Sequence, residues 1–540
     1  MKKDIVIHSP DDLKIHGLPM KRSQHRYIYF TVFVSGMTTL AAELSASRLI
    51  GNVFGTSNLV WAAIISLILI YLTAGYFIGG RWADRSPFPR TMYTVLAWGA
   101  FTLGIVPYVA QPVLLAAATA FDGLQVGVLF GSFVAVLILF SLPVTLLGMV
   151  SPFAIRLCMN DTTRAGNISG DIYAVSTLGS FFGTFLPVLF LIPTIGTTRT
   201  FLVFSLFLLC VALAGLGVNA GTRIMLPYLL MVVILALTAL FYSRKPLKSS
   251  QGQIYEKESA YNYIQVRKLG DTFFLRLNEG QGDHSMYSPT TLDYNGPWEQ
   301  FLVGPFFNPP PYLPGQVRRI AIVGLAAGTT ARQATAVFGS IPIDGFEIDP
   351  AIVDVGRKYF GMTMPNLNIF IEDGRWGLEH SPYHYDIIAV DAYRPPYIPW
   401  HMTTREFFKI SKDHLTENGV LSLNAVHLPD DRRLIDGLAT TIGSLFPSVH
   451  VMDIPGTLNS IIYATMQPTL PADLAANLLL LSTRKDIHPL LIDALQTASS
   501  NLQSGYQQTT VYTDDLAPIE WITNDMILNF VLHGNAEVLQ

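Results

Sequence analysis

Three acidic residues each follow a short apolar run in the carboxyl-terminal half of the chain. Glu347 comes directly after the run IPIDGF, Asp373 closes NIFIED, and Asp391 closes YDIIAVD. Carboxylates accept hydrogen bonds from ribose hydroxyl groups and from the amino group of adenine. The three residues therefore indicate one pocket for a nucleoside-type ligand.

The turn after the preceding apolar run supports this interpretation. It reads Gly324-Leu325-Ala326-Ala327-Gly328, and small residues let the backbone pass close to a ligand where a helix begins. Tight packing of that helix on the strand would explain the same residues. Glu347 lies 23 residues after Gly324, near the spacing of roughly 20 at which an acid meets ribose hydroxyls in dinucleotide-binding folds. We therefore predict that Glu347 binds a ligand, whereas Asp349, followed by Pro350, caps a helix.

The two later acids have more than one explanation. Asp373-Gly374 suits hydrogen bonding to an adenine edge, and it suits the cap of a helix equally well. Asp391 precedes Pro395 and Pro396, which leave the chain in an open loop over the pocket. We predict that Asp391 is a functional carboxylate.

The elements around these residues indicate an α/β domain. Four short β-branched runs between Arg319 and Asn424 alternate with helix-like segments, which is typical of a parallel sheet with crossover helices and a ligand at the carboxyl ends of its strands. Ahead of them, Ser259–Val266 and Thr272–Leu277 alternate like the two strands of a hairpin. The four prolines of Asn308–Gln316 indicate a hinge between the two parts.

Much of the amino-terminal half is too apolar for an aqueous protein. Of 540 residues, 50% are hydrophobic and 14% are charged, against about 25% charged in soluble proteins. Seven runs are long enough to span a bilayer, at about 20 residues each. A short apolar piece, 111–122, is re-entrant or interfacial, so we predict seven or eight helices. The predicted spans lie near 27–47, 57–79, 91–110, 124–150, 170–193, 200–218 and 224–242.

Basic residues indicate the orientation of these spans. Clusters at 21–26, 81–90 and 156–164 agree with a cytoplasmic amino terminus under the positive-inside rule. The cluster at 244–248 would lie outside after seven crossings. Because that cluster favours the inside, we expect a cytoplasmic carboxyl-terminal domain and one run that is re-entrant or miscounted.

The sequence thus predicts a multi-pass α-helical membrane domain followed by a Rossmann-like α/β domain with a small β-hairpin sheet at its start. A net charge of −4 without a basic stripe argues against nucleic-acid binding. Two cysteines and scattered histidines form no zinc pattern, and we expect no metal. The predicted parts are a cytoplasmic tail at 1–26, a membrane domain at 27–243, a linker at 244–258, a small β domain with hinge at 259–316, and the α/β domain at 317–540.

Together these motifs resemble the spermidine synthase family of polyamine aminopropyltransferases, which share the class I methyltransferase-like fold. The resemblance covers a leading Ser-x-Tyr hairpin, the Gly-rich turn, E-I-D, D-G-R, Y-D-x-I-x-V-D and the strand GVLSLNA. It is closest to bacterial proteins in which that domain follows a multi-helix membrane region. This implies a multi-pass protein of the bacterial cytoplasmic membrane.

The resemblance implies roles for the residues that match. Asp391 would take a proton from an attacking amine, Glu347 would bind ribose, and Asp373 would bind adenine. The ligand would be S-adenosylmethionine or its decarboxylated form, used as a substrate. The implied nucleoside-binding residues are Gly324, Ala326, Gly328, Glu347, Ile348, Asp373 and Gly374.

Departures from the family pattern bear on the acceptor. The Asp of the family turn G-G-G-D-G is Ala327 here, and the second Asp of D-x-x-D is Arg394. Those two carboxylates hold cationic amino groups in the family, and Arg394 would repel a diamine and attract a carboxylate. We therefore do not expect plain putrescine as acceptor. The candidate substrate contacts are Asn262, which replaces a family Gln, His284, Glu299, Tyr393 and Arg394; His284 and Glu299 would replace a lost acid or be solvated loop residues.

Three functions follow from this resemblance. The first is a membrane enzyme that transfers the aminopropyl-type arm to an amine or anionic acceptor and forms methylthioadenosine. The second is a lyase that releases methylthioadenosine without an acceptor. The third is a sensor or transporter that binds the nucleoside through a degenerate synthase domain. A methyltransferase is a further option because the fold is shared, and the loop that contains Asp391 weighs against it. In each case the bilayer is a partner, and a second copy of the chain is a candidate partner.

Overall fold

The computed structural model describes residues 22–54, 58–122, 127–159, 162–242, 250–278, 282–392 and 398–533. The chain divides into two compact units, Met1–Lys248 and Ser249–Gln540. Each is described by itself below.

The first unit is helical. Its described residues contain seven helices that are long and apolar enough to cross a membrane, the first at Arg22–Gly51 and the last at Thr222–Phe241. The predicted separate piece at 111–122 continues the third of these helices, which contains Pro107 and Pro112. The helices are α1 (Arg22–Phe54), α2 (Asn58–Arg85), α3 (Pro89–Asp122), α4 (Gly127–Gly148), α5 (Val150–Cys158), α6 (Ala165–Leu186), α7 (Ile192–Ile195), α8 (Thr197–Ala220), α9 (Thr222–Met225) and α10 (Leu229–Tyr242), with a π-helical turn at Pro187–Leu191.

Small residues let two of these helices touch. A Cβ atom on Gly179 of α6 would collide with the carbonyl of Phe33 on α1, and one on Gly183 would collide with that of Met37. Because apolar side chains gain little by leaving lipid for one another, close backbone packing is a main source of attraction between membrane helices. The spacing of glycines in α6 therefore fixes which face it presents to α1.

The second unit begins with a four-stranded antiparallel sheet in the order β1-β2-β3-β4. Its strands are β1 (Gln253–Glu258), β2 (Tyr263–Leu269), β3 (Thr272–Leu277) and β4 (Ser285–Tyr287). The hairpin of β2 and β3 was expected, whereas β1 lies inside the stretch predicted as a linker. Its polar sequence pairs with β2 through the backbone, from Gln253 opposite Arg267 to Glu258 opposite Tyr263, so a low share of apolar residues did not prevent a strand.

The main sheet of this unit has seven strands in the order β10-β11-β9-β8-β5-β6-β7. Strands β5 to β9 pair in parallel, and β11 runs antiparallel between β9 and β10. This is the arrangement of class I methyltransferase-like folds, so the prediction of a Rossmann-like domain is confirmed. The strands are β5 (Ile320–Val323), β6 (Ile343–Phe346), β7 (Leu367–Phe370), β8 (Tyr385–Val390), β9 (Leu415–Val426), β10 (Ser448–Asp453) and β11 (Asn459–Thr465).

Helices cover both faces of the sheet, which explains why the central strands are apolar throughout rather than alternating. Every residue of β5, β6 and β8 is buried. The order β6-β5-β8-β9 brings the carboxyl ends of these strands to one edge. The helices are α11 (Pro297–Gln300), α12 (Thr329–Phe338), α13 (Pro350–Tyr359), α14 (Gly374–Glu379), α15 (Arg405–Asp413), α16 (Arg433–Gly443), α17 (Pro471–Ser482), α18 (Pro489–Ser500) and α19 (Ile519–His533).

Candidate active site at the carboxyl edge of the sheet

The turn after β5 brings two strand ends into contact. Gly324 has a positive φ of 89°. A Cβ atom on it would lie 2.7 Å from the carbonyl carbon of Asp391 and 2.8 Å from the backbone nitrogen of Ala392. Any side chain at Gly324 would therefore push the chain after β8 away. The turn continues through Ala326, with φ 48°, to Gly328, which has φ 82° and precedes α12.

Glu347 lies at the end of β6, where the sequence predicted a ligand-binding acid. Its two carboxylate oxygens accept backbone N–H bonds, from Ala326 at 2.9 Å and from Asp349 at 3.0 Å. The side chain is buried, which raises the pKa of Glu347 to about 7 although both N–H groups favour the charged form. Ile348, beside it, is exposed on the same turn. Each carboxylate oxygen can accept a second hydrogen bond, so Glu347 can bind a hydroxyl group while it fixes the turn.

The predicted helix caps are confirmed. Asp349 accepts a hydrogen bond from the backbone of Ala351 at 3.0 Å at the start of α13. Asp373 caps α14 in the same way, since its Oδ1 atom accepts from the backbone nitrogens of Arg375 at 3.0 Å and Trp376 at 3.1 Å. For Asp373, the cap leaves the other oxygen to a separate partner.

That partner is His401. Its Nε2 atom lies 3.2 Å from Oδ2 of Asp373, and this hydrogen bond, ahead of the helix N–H groups, lowers the pKa of Asp373. The acid therefore stays ionised as a hydrogen-bond acceptor over a wide pH range. Gly374 follows it in close contact with β5, because a Cβ atom there would lie 2.5 Å from Cγ1 of Val323.

Asp391 is held differently from the other two acids. Its backbone N–H donates to the carbonyl of Val323 at 2.8 Å, and its Oδ1 atom accepts from Nδ2 of Asn424 at 2.9 Å. The side chain is half-buried, and the removal of water raises its pKa to about 6, against the opposing effect of Asn424. A carboxylate whose pKa lies just below neutral suits the transfer of a proton.

Sequence reasoning missed Asn424 and a polar network around Arg375 and Asp514. Asn424 lies in the strand GVLSLNA, which is next to β8 in the sheet. This strand order was the only feature that could have indicated a contact between Asn424 and Asp391. In the network, Arg375 bonds both oxygens of Asp514 at 2.7 Å and donates to the carbonyl of His401 at 2.9 Å. Thr404 also donates to Asp514 at 2.7 Å. Because Asp514 is 139 residues from Arg375, no local pattern could have paired them.

The predicted substrate contacts are distributed unevenly. Asn262 donates to Oδ2 of Asp349 at 3.0 Å and accepts from Nδ2 of Asn278 at 3.0 Å. It therefore ties the four-stranded sheet to the cap of α13, with its amide already engaged in a structural link. Tyr393 and Arg394 lie outside the described residues.

Glu299 is not a solvated loop residue. It is 2% exposed in α11, and its oxygens accept from the backbone of Gly296 at 2.7 Å and from Nε2 of Gln333 at 2.9 Å. Burial raises the pKa of Glu299 to about 7. Burial also lowers the pKa of His284 to about 4, and its Nε2 atom has no hydrogen-bond partner among the described residues. Both side chains are thus interior groups, of which His284 is neutral at pH 7 and Glu299 takes up its proton near neutral pH.

Within the described residues, no group of three or more His, Cys, Asp or Glu side chains is placed to hold a metal ion. The site therefore consists of two backbone-bound acids, Glu347 and Asp373, and of Asp391, whose carboxylate is held by one side-chain amide. This arrangement can bind a nucleoside at one end and accept a proton at the other.

Part of this chain is similar to known proteins. Residues 310–472 match the spermine/spermidine synthase domain. A probable polyamine aminopropyl transferase of Bifidobacterium longum is 33% identical over 216 residues, which cover 39% of this chain and 46% of that protein. A polyamine aminopropyltransferase of Vibrio vulnificus is 26% identical over 283 residues, covering 49% of this chain and 89% of that protein. A probable spermidine synthase from Corynebacterium glutamicum has a solved structure with 17% identity and a TM-score of 0.37, covering 49% of this chain and 98% of that one.

Proposed function

Because this chain carries a spermine/spermidine synthase domain at residues 310–472, we propose that it is an integral-membrane, aminopropyltransferase-like enzyme. Its substrate is S-adenosylmethionine or the decarboxylated form, and its nucleoside product is methylthioadenosine. Glu347 binds the ribose hydroxyls, Asp373 binds the adenine amino group, and Asp391 serves the acceptor. The seven apolar helices of the first unit hold the enzyme in the bilayer.

The proposed step is a displacement at the carbon beside the sulfonium. The lone pair of the acceptor nitrogen forms the new C–N bond while the C–S bond breaks, and its electron pair neutralises the sulfonium to a thioether. The nitrogen must give up a proton, which passes to Asp391 and then to water. Since methylthioadenosine is a neutral leaving group, the protein contributes mainly by positioning and by proton removal.

The observation that carries this proposal is the environment of Asp391. It lies at the end of β8, against the Gly324 turn, with a pKa raised to about 6 and one oxygen bound to Asn424. A structural cap would accept backbone N–H groups, as Asp373 does. The carboxylate of Asp391 instead accepts from a side chain, so it can change its protonation state without breaking a helix.

The test is methylthioadenosine release by the full chain in detergent. Decarboxylated S-adenosylmethionine is supplied with a series of mono- and polyamines. The wild type is compared with Asp391→Asn and with Asp386→Asn, a matched carboxamide change at the other end of β8. We expect release that depends on an amine and falls at least a hundredfold in Asp391→Asn. Equal rates in the wild type and Asp391→Asn would refute the proposal.

The lyase remains the second candidate, favoured by the loss of the acid at position 327. Ala327 is buried, and its backbone N–H donates to Oγ of Ser285 at 3.0 Å, so this position contributes no charge that could hold a cationic acceptor. Release of methylthioadenosine from intact S-adenosylmethionine without any amine would establish the lyase instead. Tight nucleoside binding without release would favour a sensor.

We further propose that the second unit faces the cytoplasm, where S-adenosylmethionine is made. If all seven candidate helices cross, the ends of the first unit lie on opposite faces, so this orientation requires one helix that does not cross. Fusions after residue 540 to green fluorescent protein and to alkaline phosphatase test it. Fluorescence without phosphatase activity supports the cytoplasmic side, and the reverse result places the domain outside.

A further inference from the structure

The first unit contains a cavity of about 210 Å³ at one end of its helices. The first turns of α1 and α3 and the last turn of α8 surround it. The volume is several times what one water molecule needs. Its lining residues are Ser23, Gln24, Tyr27, Ile28, Pro89, Tyr93, Val218 and Asn219.

The lining combines amide and hydroxyl groups with aromatic rings. Nε2 of Gln24 donates to Oδ1 of Asn219 at 3.0 Å, and the hydroxyl of Tyr27 donates to the carbonyl of Val211 at 2.7 Å. The rings of Tyr27 and Tyr93 lie 6.0 Å apart. These bonds join α1 to α8, so the cavity has fixed walls.

Four arginines lie within four residues of a lining residue of this cavity in the sequence. Arg26 lies three residues after the lining residue Ser23, and Arg90 lies three before Tyr93, so each shares a helix face with a lining residue. Arg22 and Arg223 lie one and four residues from lining positions. All four are exposed, and none has an acidic partner within ion-pair distance among the described residues.

Another arginine of the first unit, Arg156, does have an acidic partner. Arg156 pairs with Asp84 at 3.2 Å, which shows that an arginine of the first unit can find a carboxylate where one is available. No Asp or Glu lines the cavity. The chain segments next to the cavity thus carry excess positive charge, and the cavity itself is lined by polar and apolar side chains without a carboxylate.

We propose that this cavity binds a phosphate group, as carried by an anionic phospholipid headgroup or by a free phosphate compound. Arginines match phosphate oxygens with paired N–H donors, and basic pockets between membrane helices are suited to lipid headgroups. The apolar residues Ile28, Val218 and Pro89 suit the acyl chains of a lipid. This site is independent of the nucleoside site and of the function proposed above.

The test uses the full chain in detergent and three probes: short-chain phosphatidylglycerol, short-chain phosphatidylcholine and inorganic phosphate. Binding is measured by native mass spectrometry and by the shift of thermal unfolding. We expect saturable binding of phosphatidylglycerol that weakens at least tenfold in Arg26→Gln/Arg90→Gln, since each arginine near a membrane surface contributes about a threefold to tenfold gain.

The matched control is Arg81→Gln/Arg164→Gln, which removes the same charge from arginines that do not flank the cavity. Arg26→Lys/Arg90→Lys keeps the charge without the paired N–H donors, so its affinity should lie between those of the wild type and Arg26→Gln/Arg90→Gln, which separates binding from misfolding. Saturation by inorganic phosphate alone, with the same dependence on Arg26 and Arg90, would identify a free phosphate compound as the ligand. Phosphatidylcholine binding as tightly as phosphatidylglycerol, equal losses in both glutamine double variants, or no saturable binding would overturn the proposal.

Discussion

The hydrogen bond from Asn424 to Asp391 should set the pH at which the enzyme loses activity. Asp391 must be ionised to accept a proton, and its pKa of about 6 is the balance of burial, which raises it, and Asn424, which lowers it. A hydrogen bond to a charged group contributes about 1.5–3 kcal/mol, and 1.36 kcal/mol corresponds to one pKa unit. Asn424→Leu, which removes the donor in a strand position of similar volume, should therefore raise the pKa of Asp391 by roughly 1 to 2.

The assay is the pH dependence of methylthioadenosine release at low substrate concentration, which reports the free enzyme. The wild type should lose activity as the pH falls through about 6, and Asn424→Leu should lose it at a higher pH while keeping its plateau rate in alkali within about tenfold. Ser422→Ala is the control, because Ser422 lies two residues away on the same face of β9 and its hydroxyl has no partner among the described residues. An unchanged acid limb in a folded Asn424→Leu variant would refute the assignment of Asp391 as the base.

Three further outcomes follow from the same contacts. Gly324→Ala should abolish turnover and cost at least about 1–3 kcal/mol of stability. Position 324 has a positive φ, and the Cβ atom of the new alanine would collide with the backbone of Asp391. Calorimetry of nucleoside binding measures the loss of the site, and thermal unfolding measures the loss of stability. Glu299→Gln should raise the free energy of unfolding by roughly 1–3 kcal/mol at pH 8 and hardly change it at pH 4.5, as urea titrations at both pH values would show. The reason is that a buried acid with a raised pKa binds a proton in the folded state, so ionising it costs stability as the pH rises through about 7. The new amide can donate to the unpartnered Oε1 of Gln333. His401→Phe should weaken nucleoside binding severalfold without changing the amine KM, because it removes the hydrogen bond to the acid after β7; equal effects on both constants would contradict this.

The parts of the fold that sequence reasoning captured are those set by local patterns. The runs ending at Val323, Phe346 and Val390 are apolar throughout because helices cover both faces, and each formed a parallel strand. Asp349 before Pro350 capped α13, as side-chain oxygens do before a helix. The cap joins residues two positions apart, and each strand is marked by its own apolar run, although its partner strand is distant in the sequence.

Most of the contacts that were missed are long-range. Asn424 reaches Asp391 only because β9 lies beside β8, and Asp514 reaches Arg375 from the far end of the domain. Glu299 looked like a loop residue because its partner Gln333 lies 34 positions away, on α12. Strand β1 was missed because its residues are mostly polar, so no alternation of apolar and polar residues marks it as a strand.

The three acids of the site differ in what holds them, and this difference assigns their roles. Glu347 accepts two backbone N–H groups and Asp373 accepts two at a helix start, so protonating either would weaken the turn that it organises. Because burial raises the pKa of Glu347 to about 7, its protonation would be coupled to the turn, whereas the lowered pKa of Asp373 keeps that acid ionised. Asp391 accepts from one side-chain amide and sits where burial has moved its pKa close to neutral. A proton can therefore enter and leave Asp391 at little structural cost, which is what a base must do in every turnover.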